Sequence, residues 1–141
     1  MDSSLSYREG RLLSTHVPRI EKLRRSLVAL QEFLEKPANS KLDHAGIVFG
    51  FVVAFEHAWK CLEDRVSDLG YATRKIKPIL DTILKAGLIP ASDEKIWMQM
   101  LEDKNLSWHV YDEDQACELA GRIRSTHLEA LDSLYHRLRG R

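Results

Sequence analysis

Along most of the chain, apolar residues recur at the alternating spacing of three and four that lines one side of an α-helix. Ile20, Leu23, Leu27, Leu30 and Leu34 form one such stripe, which predicts a helix from about Val17 to Glu35, ended by Pro37, Asn39 and Ser40. A second predicted helix runs from about Leu42 to Leu69. Its first half is apolar almost all round and is expected to be buried on several sides; Phe55, Trp59, Leu62, Val66 and Leu69 stripe the rest. Gly70 is placed to cap it. Ile76, Ile79, Leu80, Ile83 and Leu84 mark a shorter third helix that stops at Gly87, with Pro78 blurring its start. Asp93 is expected to cap a fourth, which holds Ile96, Trp97, Met100 and Leu101. After the polar stretch Asp103 to Val110, Asp112 and Gln115 stand at capping-box spacing, and Ala116, Leu119, Ile123, Leu131, Leu134 and Leu138 stripe a long final helix. Residues 1–13 show no periodicity and are expected to form a loose lead-in to one helical domain over residues 14–141.

Short connections favour antiparallel neighbours, so the expected fold class is all-α, an up-and-down antiparallel bundle of about five helices. Composition agrees with that class. Seven Gly and four Pro among 141 residues are too few for the many tight turns of a sandwich or barrel, and a hydrophobic share of 44% is enough to fill one core. On the second helix Gly46, Gly50, Ala54 and Ala58 recur every four residues, a ridge of small side chains that lets another helix come close. Packing within the chain is the favoured use of that ridge, and a dimer seam is the other.

Charge and cysteine content narrow the function classes. Lys and Arg total 21 and so do Asp and Glu, so no net field gathers polyanions from a distance and any polyanion must be met locally. Cys61 and Cys117 stand far apart with no CxxC and no His at ligand spacing, which indicates neither a disulfide framework nor a metal site. The sequence does not open with a basic and then apolar leader, and its longest uncharged apolar stretch, Ala45 to Phe55, is well short of the ~20 residues of a membrane span. A soluble, cytoplasmic protein with no membrane partner is expected.

Candidate chemistry concentrates between the last two predicted helices. Lys104-Asn105-Leu106-Ser107-Trp108-His109-Val110-Tyr111 brings together a cation, an amide, a hydroxyl, an imidazole and a phenol. Metal-independent RNA cleavage by the 2′-OH needs a cation to hold the scissile phosphate and an imidazole to move a proton, which Lys104 and His109 could supply. Spacing alone does not separate that use from a lysine and a histidine that merely cap or fill space near a helix end.

Further phrases carry a family resemblance. Phe51 to Lys60 contains Phe-Glu-x-x-Trp-Lys, Lys85 to Ile89 contains Ala-Gly-Leu-Ile, and Ile96 to Leu101 is a Trp-containing helix. Lys104 to Glu113 matches Arg-Asn-x-x-x-His-x-Tyr-Asp-Glu at every fixed position but the first. With these phrases the chain, from about Leu12 to Leu138, resembles the HepT-like branch of the HEPN superfamily, the nucleotidyltransferase substrate-binding proteins. The resemblance implies a HEPN-like four-helix core and a homodimer in which two motifs face each other across a cleft. It implies a metal-independent endoribonuclease acting on RNA, without metal or cofactor, as the toxin of a toxin–antitoxin pair. The antitoxin would be a cognate minimal nucleotidyltransferase that transfers AMP to the motif tyrosine, here Tyr111. Carried over residue by residue, Lys104 and His109 are the catalytic pair and Asn105 and Ser107 orient the motif. Glu56 either orients the motif from behind or pairs with Lys60 one turn on.

Several positions depart from the pattern. Lys104 keeps the charge of the motif arginine and loses its planar fork. Trp108 stands where a small residue is common; it is expected to pack under the loop, with stacking on an RNA base as the alternative. Val52 and Ala54 fall where many relatives carry Glu and Thr. Two readings follow: a toxin ribonuclease, or a catalytically degenerate HEPN scaffold that serves as the partner and modification substrate of a nucleotidyltransferase.

Overall fold

The structure, a computed structural model, describes residues 17–140, so the expected lead-in over residues 1–13 lies outside the described residues. The helices are α1 (Arg19–Glu35), α2 (Lys41–Asp68), α3 (Ile76–Ala86), α4 (Glu94–Leu106), α5 (Glu113–Arg122) and α6 (Leu128–Arg139). A π-helical turn, Ile123–His127, joins α5 to α6, so the two continue as one long rod and the five-rod, all-α reading holds. Short 3-10 turns, Ala91–Asp93 and Ser107–His109, flank α4. Among the described residues there is no strand.

Local chemistry accounts for most boundaries. Ser40 starts α2 with a reciprocal capping box: its hydroxyl accepts from Asp43 N–H at 3.1 Å and the Asp43 carboxylate accepts from Ser40 N–H at 3.1 Å. Gly70 and Gly87 take left-handed backbone angles (φ 94° and 78°) just past α2 and α3, where a side chain would be strained. Asp112 caps α5 by accepting from Asp114 N–H and Gln115 N–H at 3.1 and 3.2 Å. The expected cap by Asp93 is not made. The 3-10 turn after Pro90 runs straight into α4, which gives Asp93 helical rather than the extended angles of a capping residue, and its side chain makes no cap hydrogen bond.

Core packing centres on α2, which lies against α1, α3 and the α5–α6 rod. Phe51, Phe55 and Leu62 of α2 meet Leu23 and Leu30 of α1, Ile83 of α3, Trp97 and Met100 of α4, and Leu131 of α6 in one buried cluster. The Phe55 ring lies 6.0 Å from Trp97 and 5.9 Å from Phe51. By length and composition α2 could cross a bilayer, yet its apolar residues form the centre of this core. At Gly50 the small-residue ridge receives α1 within the chain, since a Cβ there would lie 2.9 Å from Phe33 Cδ2 and 3.3 Å from Leu30 Cδ1; Ala54 and Ala58 are fully buried, whereas a Cβ on Gly46 would meet nothing within 4 Å. The first half of α2, expected to be buried on several sides, is left open along one face. Ile47, Val48 and Phe51 are buried, but Leu42 is 81% and Phe49 67% exposed, because no described helix covers that side.

A polar cluster lies within this apolar packing. Asp103, in the last turn of α4, is fully buried. Its Oδ1 accepts from Gln99 Nε2 at 3.0 Å and Arg122 Nη2 at 2.8 Å; its Oδ2 accepts from Arg122 Nε at 2.9 Å and stands 2.7 Å from Nε2 of the buried His127. Burial by itself raises the Asp103 pKa, but the bonds from Arg122, His127 and Gln99 outweigh it and hold the carboxyl below its ordinary value. Burial is also the largest influence on His127 and pushes its pKa down against the opposing pull of Asp103. The imidazole is therefore neutral, with its proton on Nε2 facing the carboxylate.

Both shifts make acid destabilising. The depressed Asp103 carboxyl stabilises the fold above its unfolded pKa and loses that contribution as pH falls through the folded value, while the neutral His127 is disfavoured once the unfolded imidazole protonates below about pH 6.5. Melting temperature is expected to fall as pH drops from about 7 to 5, and His127→Gln should flatten that fall in a pH series of thermal melts. A residual slope remains from His57, whose pKa is lowered by burial and then by Lys60 and Lys22. Asp103→Ala leaves Arg122 and His127 without their partner and should cost about 3 kcal/mol in urea unfolding, the lower end for a broken buried pair because Arg122 is 37% exposed. Gly50→Val should cost about 1–3 kcal/mol by overpacking against Phe33 and Leu30.

Candidate functional site

Between α4 and α5 the chain turns a tight corner. The Ser107 hydroxyl donates to the Lys104 carbonyl at 2.6 Å, Val110 N–H to the Ser107 carbonyl at 3.3 Å and Asp112 N–H to the His109 carbonyl at 2.9 Å. These bonds wind residues 107–109 into a 3-10 turn and aim the side chains of His109 and Tyr111 outward. Beyond the corner, Glu113 Oε1 lies 2.7 Å from His44 Nδ1, which ties the start of α5 to α2.

Two side-chain pairs occupy the corner. Lys104 Nζ forms an ion pair with Glu56 of α2 and stands 5.9 Å from the centre of the Phe55 ring. Of the two contacts open to Glu56, the structure holds the one with Lys104. The second pair joins His109 Nδ1 to the Tyr111 hydroxyl at 3.3 Å, with the rings 5.8 Å apart. His109 is exposed and Tyr111 is 66% exposed, so both reach solvent. Among the described residues no hydrogen bond links the two pairs directly.

Other residues expected at the site fall differently. Ser107 bonds through its hydroxyl to the backbone carbonyl of Lys104. Asn105 lies on the exposed side of α4, and its side chain makes no hydrogen bond among the described residues. Trp108 is not packed under the loop: it is 84% exposed, because successive side chains of a 3-10 turn point about 120° apart and the side that half-buries Ser107 is not the side that Trp108 faces. Among the described residues no three His, Cys, Asp or Glu side chains stand close enough to share a metal ion.

The cluster of Gln99, Asp103, Arg122 and His127 is invisible to motif reading, yet it abuts the motif at Asp103. One signal was available: His127 falls in step with Ile123, Leu131 and Leu134 on the core stripe of the last helix, where a lone imidazole needs a buried partner. Arg122 is held by its bonds to Asp103, which raise its pKa. It also lines, with His109, a cavity of about 180 Å³ whose walls include Leu106, Val110, Gln115, Glu118 and Leu119. The larger hollow of about 700 Å³ beside α3, around Leu69, Tyr71 and Thr82, contains no motif residue.

Comparison with known proteins finds no curated protein that matches the chain. A family model does match, over residues 18–140, and its description is nucleotidyltransferase substrate binding protein like. That span takes in all the helices described above together with the corner that carries Lys104, His109 and Tyr111. The chain therefore belongs to the nucleotidyltransferase substrate binding protein like family, the HepT-like group that its motif resembles.

Proposed function

We propose that this chain is the toxin of a HEPN-type toxin–antitoxin pair, a metal-independent endoribonuclease controlled by a cognate minimal nucleotidyltransferase that adenylylates Tyr111. The observation that carries the reading is the pairing of an exposed Tyr111 hydroxyl with His109. An accessible phenol beside an imidazole is a competent acceptor: as its oxygen bonds to the α-phosphorus of ATP, the imidazole takes the proton and pyrophosphate leaves. The product carries a phosphodiester charge and a bulky nucleoside next to His109, which repels and blocks an RNA phosphate.

In the unmodified protein Lys104 holds the scissile phosphate while His109 moves a proton between the attacking 2′-OH and the leaving 5′-oxygen. One imidazole cannot act as base and acid at the same moment, so a homodimer that brings two His109 side chains into one cleft suits the reaction better than a monomer. The exposed Leu42 and Phe49 and the half-buried Val53 of α2 lie on the same helical face as Glu56 and offer an apolar surface beside the site. The Lys104–Glu56 ion pair favours a second reading, in which the lysine charge is offset and the chain is a nuclease-silent scaffold and modification substrate.

Co-expression with the nucleotidyltransferase should add one or more AMP units at Tyr111, seen in intact mass and fragment spectra and lost in Tyr111→Phe. Unmodified protein should cut RNA, His109→Ala should not, and Lys104→Arg should raise the rate about tenfold, a barrier change of about 1.4 kcal/mol. No cleavage by either the unmodified protein or Lys104→Arg selects the scaffold reading.

A further inference from the structure

As a phosphate holder Lys104 has a shortcoming of shape: its ammonium lacks the flat donor array that fits phosphate oxygens. Lys104 pairs with Glu56 and Arg122 with Asp103, so the two cations differ in geometry and not in having a carboxylate partner. Arg122 has that array. Two of its N–H groups donate to Asp103, which fixes the guanidinium plane, and the remaining donors lie on a side chain that is 37% exposed. His109 and Arg122 line the same cavity.

That cavity has the size and walls for one small group. Its 180 Å³ is close to the roughly 150 Å³ that takes a single benzene ring, which is room for a phosphoryl group. Leu106, Val110 and Leu119 keep part of the wall apolar, where charge-assisted hydrogen bonds are stronger than in open water. Glu118, on the exposed side of α5, is the one lining carboxylate and opposes an anion there. We propose that this cavity is a phosphoryl-group site in which Arg122, held by Asp103, supplies the planar cation that position 104 lacks, with His109 at its edge. The proposal rests on the reading of the motif as phosphate-handling and adds a residue outside the motif to it.

Binding can be followed without catalysis by recording the His109 ring signals of the full chain in NMR titrations with inorganic phosphate and with a short 2′-O-methyl RNA that cannot be cleaved. The expected result is that Glu118→Gln tightens binding about threefold, as removal of one nearby like charge should, and that Arg122→Lys weakens it about tenfold while the thermal melt stays cooperative. If Arg122→Lys does not fold, the Arg122 Nε–H signal of the natural protein must itself shift on adding phosphate. Binding that ignores Glu118→Gln but tightens in Glu56→Gln overturns the proposal, because the anion then sits at Lys104. A His109 signal that no probe moves overturns both this proposal and the phosphate-handling reading. Binding that follows Glu118 and Arg122 in a protein that cuts no RNA upholds the proposal and removes only the nuclease reading; a response to one probe alone identifies free phosphate or an RNA backbone as the ligand.

Discussion

A buried carboxylate sets the geometry of the whole corner. Asp103 has lost its water, and its charge is tolerable only because Gln99, Arg122 and His127 surround it with hydrogen bonds. Arg122 and His127 are five residues apart, a separation that in a regular α-helix points two side chains about 140° away from each other. Both nevertheless reach Asp103 Oδ2. The π-helical turn Ile123–His127 makes this possible: its wider winding, marked by the bond from Leu128 N–H to the Ile123 carbonyl, brings residues five apart onto one side. The π turn thus suits the Asp103 cluster, and the bonds to Asp103 link α4 to the α5–α6 rod.

From that clamp the rest of the site follows by chain connectivity. Lys104 is the next residue after Asp103, and the 3-10 turn that begins at Ser107 leads within a few residues to Asp112 and its cap on α5. The corner has little freedom left, since both of its ends are anchored, one by a buried ion pair and the other by a helix cap with the His44–Glu113 pair behind it. α2 serves two regions at once. Its Phe55 belongs to the core, and the adjacent Glu56 reaches the Lys104 ammonium.

How much of this is legible in the sequence depends on the range of the interaction. Helices α1 to α4 and the final rod are legible because the residues that fill the core recur with the helix period, and the ends at Ser40, Gly87 and Asp112 because caps act over three or four residues. The motif corner is legible as a concentration of chemistry, and Glu56 as a residue one helix away. What the sequence hides are contacts whose partners lie far along the chain. Arg122 and His127 read as an exposed cation and a stray imidazole until the fold brings them to Asp103, and nothing in a linear pattern marks one π turn inside a rod. Trp108 misleads for a different reason: average burial favours an indole inside, but a 3-10 turn sends successive side chains about 120° apart whatever the residue type, and position 108 falls on the outer side. On the first half of α2 the apolar pattern marks burial on several sides without showing which side stays open, since that depends on where the other helices lie.

Exposed chemistry beside a buried clamp also has an evolutionary meaning. Lys104, His109 and Tyr111 make their side-chain contacts at the surface, where substitutions usually change stability by little, whereas Asp103 holds two helical elements together from within. Drift can therefore alter what this corner does without disturbing the scaffold that displays it. A change of residue at position 104 is the kind of change such an arrangement tolerates, because the bundle is held from within and not by the side chains that it displays.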